Sequence, residues 1–293
     1  MRKSAWLVMI VATVVVANGP AVAQAAWSFE ARSFAMGNSV IAVADDSAAW
    51  LQNPAGLPYL RVSPDSRSSW PALVSGTTDL GADADTIGIN CSACSREGDR
   101  GWGAGYWELG SYRLGPLITL SIDKVGAGYG AALRPGLSWG VSVTRLNMAW
   151  DLPPMPQQTP DAMDAYSGDE IIVDVGAMYR RSVPAGQVKY GFVARDVADQ
   201  MQYTFDVGAS LELPTGVLVA ADIRDITDEV NTLLNIGAEW RPASLENWAF
   251  QTGLADGDLT YGASYDFGSL ALSVSRQHLS HDDVTAVTLV GEF

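Results

Sequence analysis

The feature that most constrains the fold is a two-residue alternation of apolar and small polar side chains that runs through most of the chain from residue 84. In 203–213, Tyr, Phe, Val, Ala and Leu alternate with Thr, Asp, Gly, Ser and Glu, and 259–267 repeats the pattern. Successive side chains of a strand point to opposite faces. The alternation therefore predicts strands that each have one apolar face and one polar face.

The alternation predicts fourteen strands, near 84–91, 101–109, 113–122, 125–133, 137–148, 169–181, 187–195, 203–213, 217–225, 231–241, 246–254, 258–267, 269–277 and 284–293. Many of them have about 9 to 11 residues, the length that a tilted strand needs to cross a bilayer. Unpaired backbone groups cost several kcal/mol in hydrocarbon, so strands that span it must close into a barrel. We therefore predict an all-β fold, a transmembrane antiparallel β-barrel over 84–293.

The connections between the predicted strands also favour a membrane barrel. If the chain ends in the periplasm, turns on that side should be short and outer loops longer. The predicted inner turns are brief and rich in Gly, Pro or Ser: 110–111, 135–136, 183–186, 214–215, Ala243 with its neighbours, and Gly268. The predicted outer connections include most of the longest ones: 92–100, 123–124, 152–168, 196–202, 226–230, 255–257 and 278–283. A soluble periplasmic β-protein accounts for the alternation but not for this asymmetry, and it is the alternative.

Residues 1–26 have the layout of a secretory signal peptide. Two basic residues precede the apolar run 7–17, and small-x-small cleavage sites follow at 21–23 and 23–25. A helix needs about 20 residues to span a bilayer, so the run is too short for an anchor. We expect a cleaved signal peptide, export, and a location in the bacterial outer membrane.

Charge and cysteine content narrow the function further. The chain has 18 basic and 33 acidic residues, a formal net charge of −15, which would repel nucleic acid. Its two cysteines, Cys91 and Cys94, form a motif that indicates redox chemistry or half a zinc site in cytosolic proteins. In an exported chain with no second pair, we interpret them as a local disulfide or as two idle thiols.

Charged residues on the polar faces are candidates for a network in the barrel lumen. The acidic ones are Asp174, Asp206, Glu212, Asp222, Glu239 and Asp266. They could form a path that favours cations. We prefer the hypothesis that they pair with lumen arginines, because a plugged barrel must satisfy its interior polar groups. The arginines that we assign to the lumen are Arg145, Arg180, Arg195 and Arg241.

Catalytic patterns are weak in this chain. Its only histidines, His278 and His281, precede Asp282 and Asp283, and the group is a minor candidate for metal or proton chemistry. No Ser-His-Asp order, glycine-rich phosphate loop or metal cluster stands out from the sequence. We therefore predict no catalytic residues, no metal site and no cofactor, and we do not expect an enzyme.

The last segment, VTAVTLVGEF, resembles the signal that the outer-membrane barrel assembly machinery reads. Phe293 is a terminal aromatic residue, and Leu289 and Val287 share its face across Gly291. The resemblance implies that the assembly machinery and outer-membrane lipid are partners of the chain.

The stretch ahead of the predicted barrel, 27–83, contains one compact helix-and-turn motif, DDSAAWLQNPAGLPYL. One of its aspartates, Asp45 or Asp46, can cap a one-turn helix that ends at Gln52. The proline that follows Asn53 pushes it out of the helical conformation and ends the helix. From the residues alone, this motif is compatible with a periplasmic cap or an ordinary loop.

Residues 31–60 resemble the N-terminal segment of FadL-type outer-membrane transporters and their PorV-type relatives. The phrases that match, in order, are Ala31-Arg32, Met36-Gly37, Ala44-Asp45-Asp46 and Asn53-Pro54-Ala55-Gly56-Leu57. The resemblance implies that 27–83 is a hatch inside or under a fourteen-stranded barrel. It also implies that the hatch and ligand residues are Asp45, Asp46, Asn53, Pro54, Ala55 and Gly56, where Gly56 allows a turn.

The same resemblance implies passive passage of small hydrophobic molecules, fatty acids among them, when the hatch shifts. This chain is much shorter than typical FadL transporters, so most of their long outer loops are missing. The alternative is a non-conducting outer-membrane scaffold or a secretion-system partner, as in PorV-type proteins. The expected partner is accordingly a hydrophobic small molecule or a secretion protein, and no nucleic acid.

Overall fold

The computed structural model describes residues 30–61, 72–81, 87–113, 119–151, 168–199, 203–227, 232–278 and 283–292. Three short helices come first: α1 (Ala31–Ala35), α2 (Ala49–Gln52) and a 3-10 helix (Pro54–Tyr59). The strands that follow are β1 (Ala72–Gly81), β2 (Ile87–Glu97), β3 (Arg100–Arg113), β4 (Thr119–Arg134), β5 (Leu137–Asp151), β6 (Gly168–Val183), β7 (Gly186–Arg195), β8 (Thr204–Glu212), β9 (Val217–Arg224), β10 (Leu233–Trp240), β11 (Trp248–Ala255), β12 (Asp258–Asp266), β13 (Leu270–His278) and β14 (Asp283–Glu292).

In the described ranges, fourteen strands form one closed barrel in which each strand pairs with its neighbours in sequence. The ring closes where β1 pairs with β14 in antiparallel register, from Leu73 opposite Glu292 to Gly81 opposite Val284. The prediction of an antiparallel barrel of about 14 strands is confirmed. None of the helices described is both long and apolar enough to cross a membrane.

Two predicted strand assignments are wrong, and their errors cancel in the total. The sequence interpretation missed β1, and it divided one strand, β4, into 113–122 and 125–133. The polar pair 123–124 was expected to be an outer loop, but Asp123 pairs with Asn147 and accepts a 2.9 Å hydrogen bond from its side-chain amide. The expected turn at 110–111 lies inside β3, at a register shift between β3 and β4, where a bulge replaces a reversal.

The start of the barrel and the first turns are corrected accordingly. The barrel begins by Ala72, so the predicted boundary at residue 84 is too late. Adjacent residues of like character in β1, such as Thr77 and Thr78, weaken its alternation, whereas pairing with β2 and β14 stabilises the strand. The predicted outer loop 92–100 is also wrong, because most of it belongs to β2 and β3.

The two ends of the barrel differ in their connections. One end, called here the short-turn end, carries 98–99, 135–136, 184–185, 213–216, 241–247 and 267–269. The opposite end, called the long-loop end, includes the connections 196–203 and 225–232 as well as the short turn 256–257. Short periplasmic turns are typical of outer-membrane barrels, so we expect the short-turn end to face the periplasm.

The outward face of the barrel is apolar, and the inward face is polar or small. On β11, exposed and buried residues alternate without interruption, with Phe250 and Leu254 outside and Gln251 inside. Aromatic residues gather at the short-turn end, where the rings of Trp248 and Tyr265 lie 4.9 Å apart. An apolar band with an aromatic girdle matches a lipid bilayer, so the barrel is a transmembrane one.

The two cysteines do not form a disulfide. Both lie on β2, and a spacing of three residues turns their side chains to opposite faces of the strand. Cys91 is exposed, whereas Cys94 is buried with its sulfur 2.9 Å from the Ser47 carbonyl oxygen. Of the two alternatives from the sequence, two free thiols is therefore the correct one.

We expect both thiols to survive purification without reductant. Denaturing the protein in excess iodoacetamide should add two alkyl groups per chain, since neither sulfur is part of a disulfide. Intact-mass spectrometry measures this, and a sample reduced first gives the reference mass. A chain that takes up alkyl groups only after reduction would contradict the geometry of β2.

Candidate functional site in the barrel lumen

Residues 30–61, called here the lumen segment, lie inside the ring of strands. Helix α1 contacts β11 to β14, whereas α2 and the 3-10 helix contact strands between β2 and β6. Most of the segment is fully buried, including Phe34, Ile41 and Leu57. Residues 30–61 of the predicted N-terminal segment thus lie inside the barrel and not under it, whereas residues 72–81 form β1 of the wall.

Close contact between the lumen segment and the wall depends on paired glycines. Among the described strands, seven pairs of glycines face each other across neighbouring strands, and every member lies against the lumen segment. Glycine lets another backbone approach closely because it has no Cβ. The pairs are Gly101 and Gly130, Gly103 and Gly128, Gly105 and Gly126, Gly130 and Gly140, Gly140 and Gly176, Gly191 and Gly208, and Gly237 and Gly253.

The motif at 53–55 sits on one of these pairs. A Cβ on Gly140 would overlap the carbonyl group of Pro54, and a Cβ on Gly176 would overlap Oδ1 of Asn53. Gly56 is equally constrained, because a Cβ there would overlap the carbonyl oxygen of Ala44. It lies within the 3-10 helix, where close packing, and not an unusual backbone angle, requires glycine.

The local structure around Asn53 agrees with the prediction. Its backbone is extended, with φ −157° and ψ 104°, so α2 ends before it and the 3-10 helix begins at Pro54. Its side-chain oxygen accepts a hydrogen bond from the Ala55 amide at 3.1 Å. Its side-chain nitrogen donates to the Ile41 carbonyl at 2.8 Å, which joins the two halves of the lumen segment.

The predicted aspartate cap is only partly correct. The residue that caps α2 is Ala48, which offers no side-chain hydrogen bond. Asp46 accepts a 3.1 Å hydrogen bond from the Ala48 amide just ahead of the helix. Asp45 instead forms ion pairs with Arg32 and Arg61, arginines that lie outside its own turn and draw its carboxylate away from the helix.

A charge cluster at the short-turn end ties the lumen segment to the wall. Arg32 bridges Asp45 and Glu239 of β10, at 2.7 Å each. Arg61 contacts Asp45 at 2.8 Å and Glu212 of β8 at 3.2 Å. Because three of these groups belong to the segment and two to the strands, the cluster cannot persist if the segment moves away.

The electrostatics of the cluster keep Asp45 ionised. Burial alone would raise the pKa of Asp45, but Arg61, Arg32 and Lys189 together hold that pKa well below its usual range. A lowered pKa stabilises the folded state at neutral pH, and this stability is lost as the pH falls through the acid range.

A second charge cluster, at the long-loop end, confirms part of the predicted pairing. Arg195 of β7 contacts Asp174 at 2.9 Å and Asp206 at 3.0 Å. The same guanidinium donates to the carbonyl oxygens of Leu51 at 2.8 Å and Gln52 at 2.7 Å. It therefore joins two wall carboxylates to the C-terminal end of α2.

The other predicted charges have different outcomes. Asp222 is buried and accepts a 2.8 Å hydrogen bond from the Ile41 amide of the lumen segment. Arg145 does not face the lumen: it shares the outward face of Val143 and pairs with Asp169 at 2.7 Å, with both side chains more than half exposed. Asp266 is exposed at the end of β12.

The sequence interpretation missed three cations that hold the network together: Arg32, Arg61 and Lys189. The sequence indicated that carboxylates face the lumen but not which cations meet them. Arg241 does pair with Glu239, at 3.0 Å, as predicted. The available signal was the position of arginines in the N-terminal stretch, since a buried segment among carboxylates needs positive partners.

The histidine group and the C-terminal residues add little to the site. His278 is exposed at the end of β13, opposite Asp283, whereas His281 and Asp282 lie outside the described residues. Within the described ranges, no three His, Cys, Asp or Glu side chains are grouped to hold a metal ion. Val287 and Leu289 alternate with buried Thr288 and so share the outward face of β14. Phe293 lies outside the described residues, and the assembly signal stays a prediction.

Fold and site together define a transmembrane β-barrel whose lumen holds its own N-terminal segment. No known family model matches the sequence, and no curated protein matches it significantly. Among solved structures, the monoaromatic hydrocarbon channel CymD is similar over 91% of this chain and 98% of its own, with 14% identity and a TM-score of 0.64. The toluene transporter TodX of Pseudomonas putida is similar over 90% and 97%, with 14% identity and a TM-score of 0.60.

A FadL homologue from Pseudomonas aeruginosa extends this comparison. It is similar over 94% of this chain and 99% of its own, with 8% identity and a TM-score of 0.55. The chain thus has the fold of the FadL-type outer-membrane channels, as the resemblance of its N-terminal stretch predicted.

Proposed function

We propose that this chain is a bacterial outer-membrane channel of FadL type that lets small hydrophobic molecules pass passively. In this proposal the lumen segment is the hatch, and passage requires it to shift. The observation that carries the proposal is a closed barrel with the FadL-type fold, filled by a segment that ion pairs and glycine contacts hold against the wall. The similar structures include a toluene transporter and a monoaromatic hydrocarbon channel.

The hatch residues have distinct roles in this proposal. The turn formed by Asn53, Pro54 and Ala55 seals against wall glycines. Asp45 and Asp46 hold Arg32 at the short-turn end, at 2.7 and 3.3 Å. A shift that breaks these contacts would leave polar wall residues open to water, where they are readily solvated.

Apolar groups on the long-loop side of the hatch suit a hydrophobic substrate. Trp107 of β3 and Leu146 of β5 are buried and face inward. Trp107 also packs with Trp50 and Leu51 of the lumen segment in one apolar cluster. A small hydrophobic molecule that reaches this surface would contact hatch and wall at once, and its binding would favour states in which the two separate.

Residues 1–26 act in this proposal as a signal peptide that is removed on export. The barrel assembly machinery then inserts the chain into outer-membrane lipid, and Phe293, Leu289 and Val287 form the signal that it reads. We propose no catalytic role, because the channels with this fold are transporters.

Uptake by whole cells tests the proposal, since the outer membrane is the barrier of interest. Cells that make the protein should take up labelled toluene, and in a second arm a labelled fatty acid, faster than cells without it. A lock supplies the matched control: Ser47→Cys introduces a second thiol at the residue whose carbonyl oxygen lies 2.9 Å from the Cys94 sulfur. Uptake should fall on oxidation and recover on reduction, whereas Ser47→Cys in a Cys94→Ser background should not respond. Equal uptake with and without the protein contradicts the proposal.

A second candidate is a non-conducting scaffold or secretion partner of PorV type. The observation that favours it is the tight packing of the lumen segment against the described glycine pairs. At these positions the space between segment and wall is too small even for a Cβ atom. Co-purification of a stable partner from native membranes, with no change in uptake, would support this candidate over transport.

A further inference from the structure

We propose that a cavity at the short-turn end binds a small organic carboxylate. The cavity has a volume of about 170 Å³ and lies between the lumen segment and the wall strands β6, β7 and β8. Its lining includes Tyr59, Arg180, Lys189, Met178 and Val43. The inference does not depend on transport, because binding here requires neither passage nor movement of the segment.

Two lining groups have polar capacity that the described protein does not use. The hydroxyl of Tyr59 is buried and has no hydrogen-bond partner among the described residues. The guanidinium of Arg180 lies over the Tyr59 ring, 3.4 Å from its centre, and no described carboxylate is within ion-pair distance of it. A buried polar group without a partner is costly, so a ligand that brings an acceptor to the Tyr59 hydroxyl would remove that cost, and its negative charge would pair with Arg180.

The charge of the cavity suits an anion. Its lining carries the cations Arg61, Arg180 and Lys189 but only the carboxylates Asp45 and Glu212, an excess of one positive charge. Asp45 is already held by Arg32 at 2.7 Å and Arg61 at 2.8 Å. The excess is local, because the whole chain has a formal net charge of −15. An arginine fork is also the usual partner of a carboxylate, which it can bind through two hydrogen bonds.

The size and the apolar lining limit the rest of the ligand. Met178 and Val43 supply apolar surface beside the donors. An apolar protein cavity of about 150 Å³ holds one benzene molecule. A cavity of about 170 Å³ therefore accommodates an aromatic acid of benzoate size or the head of a fatty acid, and both offer the same carboxylate on an apolar body. Glu212 and Arg61 are about one-third exposed, so the cavity is accessible from the short-turn end.

Binding to the detergent-purified full chain tests the inference. Benzoate is titrated at neutral pH by calorimetry, with ligand-observed NMR as a second readout. Benzamide, which has the same shape without the charge, and hexanoate, which replaces the ring with a chain, are the comparison probes. We expect saturable binding of benzoate and at least about tenfold weaker binding of benzamide, as a charged hydrogen bond implies. Tighter binding of hexanoate would assign the site to fatty-acid heads.

Two variants and one control test whether benzoate binding depends on this cavity. Arg180→Gln should weaken benzoate binding about tenfold, and Tyr59→Phe, which keeps the ring and removes only the hydroxyl, should weaken it several-fold. Arg181→Gln is the matched control, because Arg181 is the next residue on β6 and is exposed on the opposite face. It should bind as the unaltered chain does. No saturable binding, which would mean that the cavity holds water only, overturns the inference, as does equal loss in the Arg180→Gln and Arg181→Gln chains.

Discussion

Replacing Gly140 with valine is expected to displace the turn at 53–55 from the wall and to open the lumen to ions. Gly140 pairs with Gly130 on one side and Gly176 on the other, so the strand cannot move away from the added side chain. The lumen segment must move instead, since a Cβ at this position already overlaps Pro54. Overpacking of this kind costs about 1–3 kcal/mol. The displaced state of the segment should therefore become about ten to a hundred times more populated.

Conductance across a planar lipid bilayer measures this effect, because an emptied barrel passes ions and a filled one does not. Val141→Leu is the control, since Val141 is the next residue of β5 and lies on the outward face. A shift in gel mobility between heated and unheated samples checks that each barrel has formed. If Gly140→Val does not fold, Gly237→Val tests the same effect at another contact, because a Cβ on Gly237 would overlap the carbonyl oxygen of Met36 in the lumen segment. A folded Gly140→Val barrel that is as closed as Val141→Leu would contradict the contact.

The second large effect is expected from Arg32→Met. Arg32 is buried and pairs with Asp45, Asp46 and Glu239, so its removal leaves three carboxylates facing one another in the lumen. Breaking a buried ion pair by removing one partner costs about 3–5 kcal/mol. The loss should fall on the attachment of the lumen segment and not on the strand ladders. Hydrogen exchange of amides in 30–61 should become much faster, while exchange in β4 and β5 changes little.

Two further variants make this result specific. Arg145→Gln removes an arginine whose pair with Asp169 lies on the exposed outer face, and we expect no change in exchange within 30–61. The double variant Arg32→Met with Glu239→Gln should recover part of the protection, because it removes one of the three carboxylates that Arg32 no longer neutralises. Unchanged protection in Arg32→Met would show that the charge cluster does not hold the segment.

The architecture was largely predictable from the sequence because alternation is a local property. The two faces of each strand can be recognised within about ten residues, and the total of fourteen was correct because one strand was missed and another was divided in two. The errors in the strand and turn assignments occur where a local turn signal disagrees with long-range strand pairing. Gly110 with Ser111 is a good turn candidate by composition, yet it forms a bulge because the pairing of β3 with β4 resumes beyond it, with Tyr112 opposite Leu120.

The contacts of the site were not predictable in the same way. The pairing of Gly140 with Gly176 depends on the register of two strands, and a one-residue slip would separate the two glycines. Arg32 meets Glu239 across 207 residues of sequence, and nothing local to either residue indicates the other. That charges in the lumen would be satisfied could be expected from the polar faces of the strands. Which charges meet depends on how the ring closes.

Contact between the first and last described elements constrains the order of assembly. The Ala31 amide donates to the Thr288 hydroxyl at 2.7 Å, and Phe34 packs with Val284 and Ala286 of β14. The strand β14 must therefore be present before α1 can form these contacts. Closing a loop of this length is slow relative to forming hairpins. The N-terminal stretch therefore stays unanchored at α1 until β1 and β14 can pair and close the barrel around it.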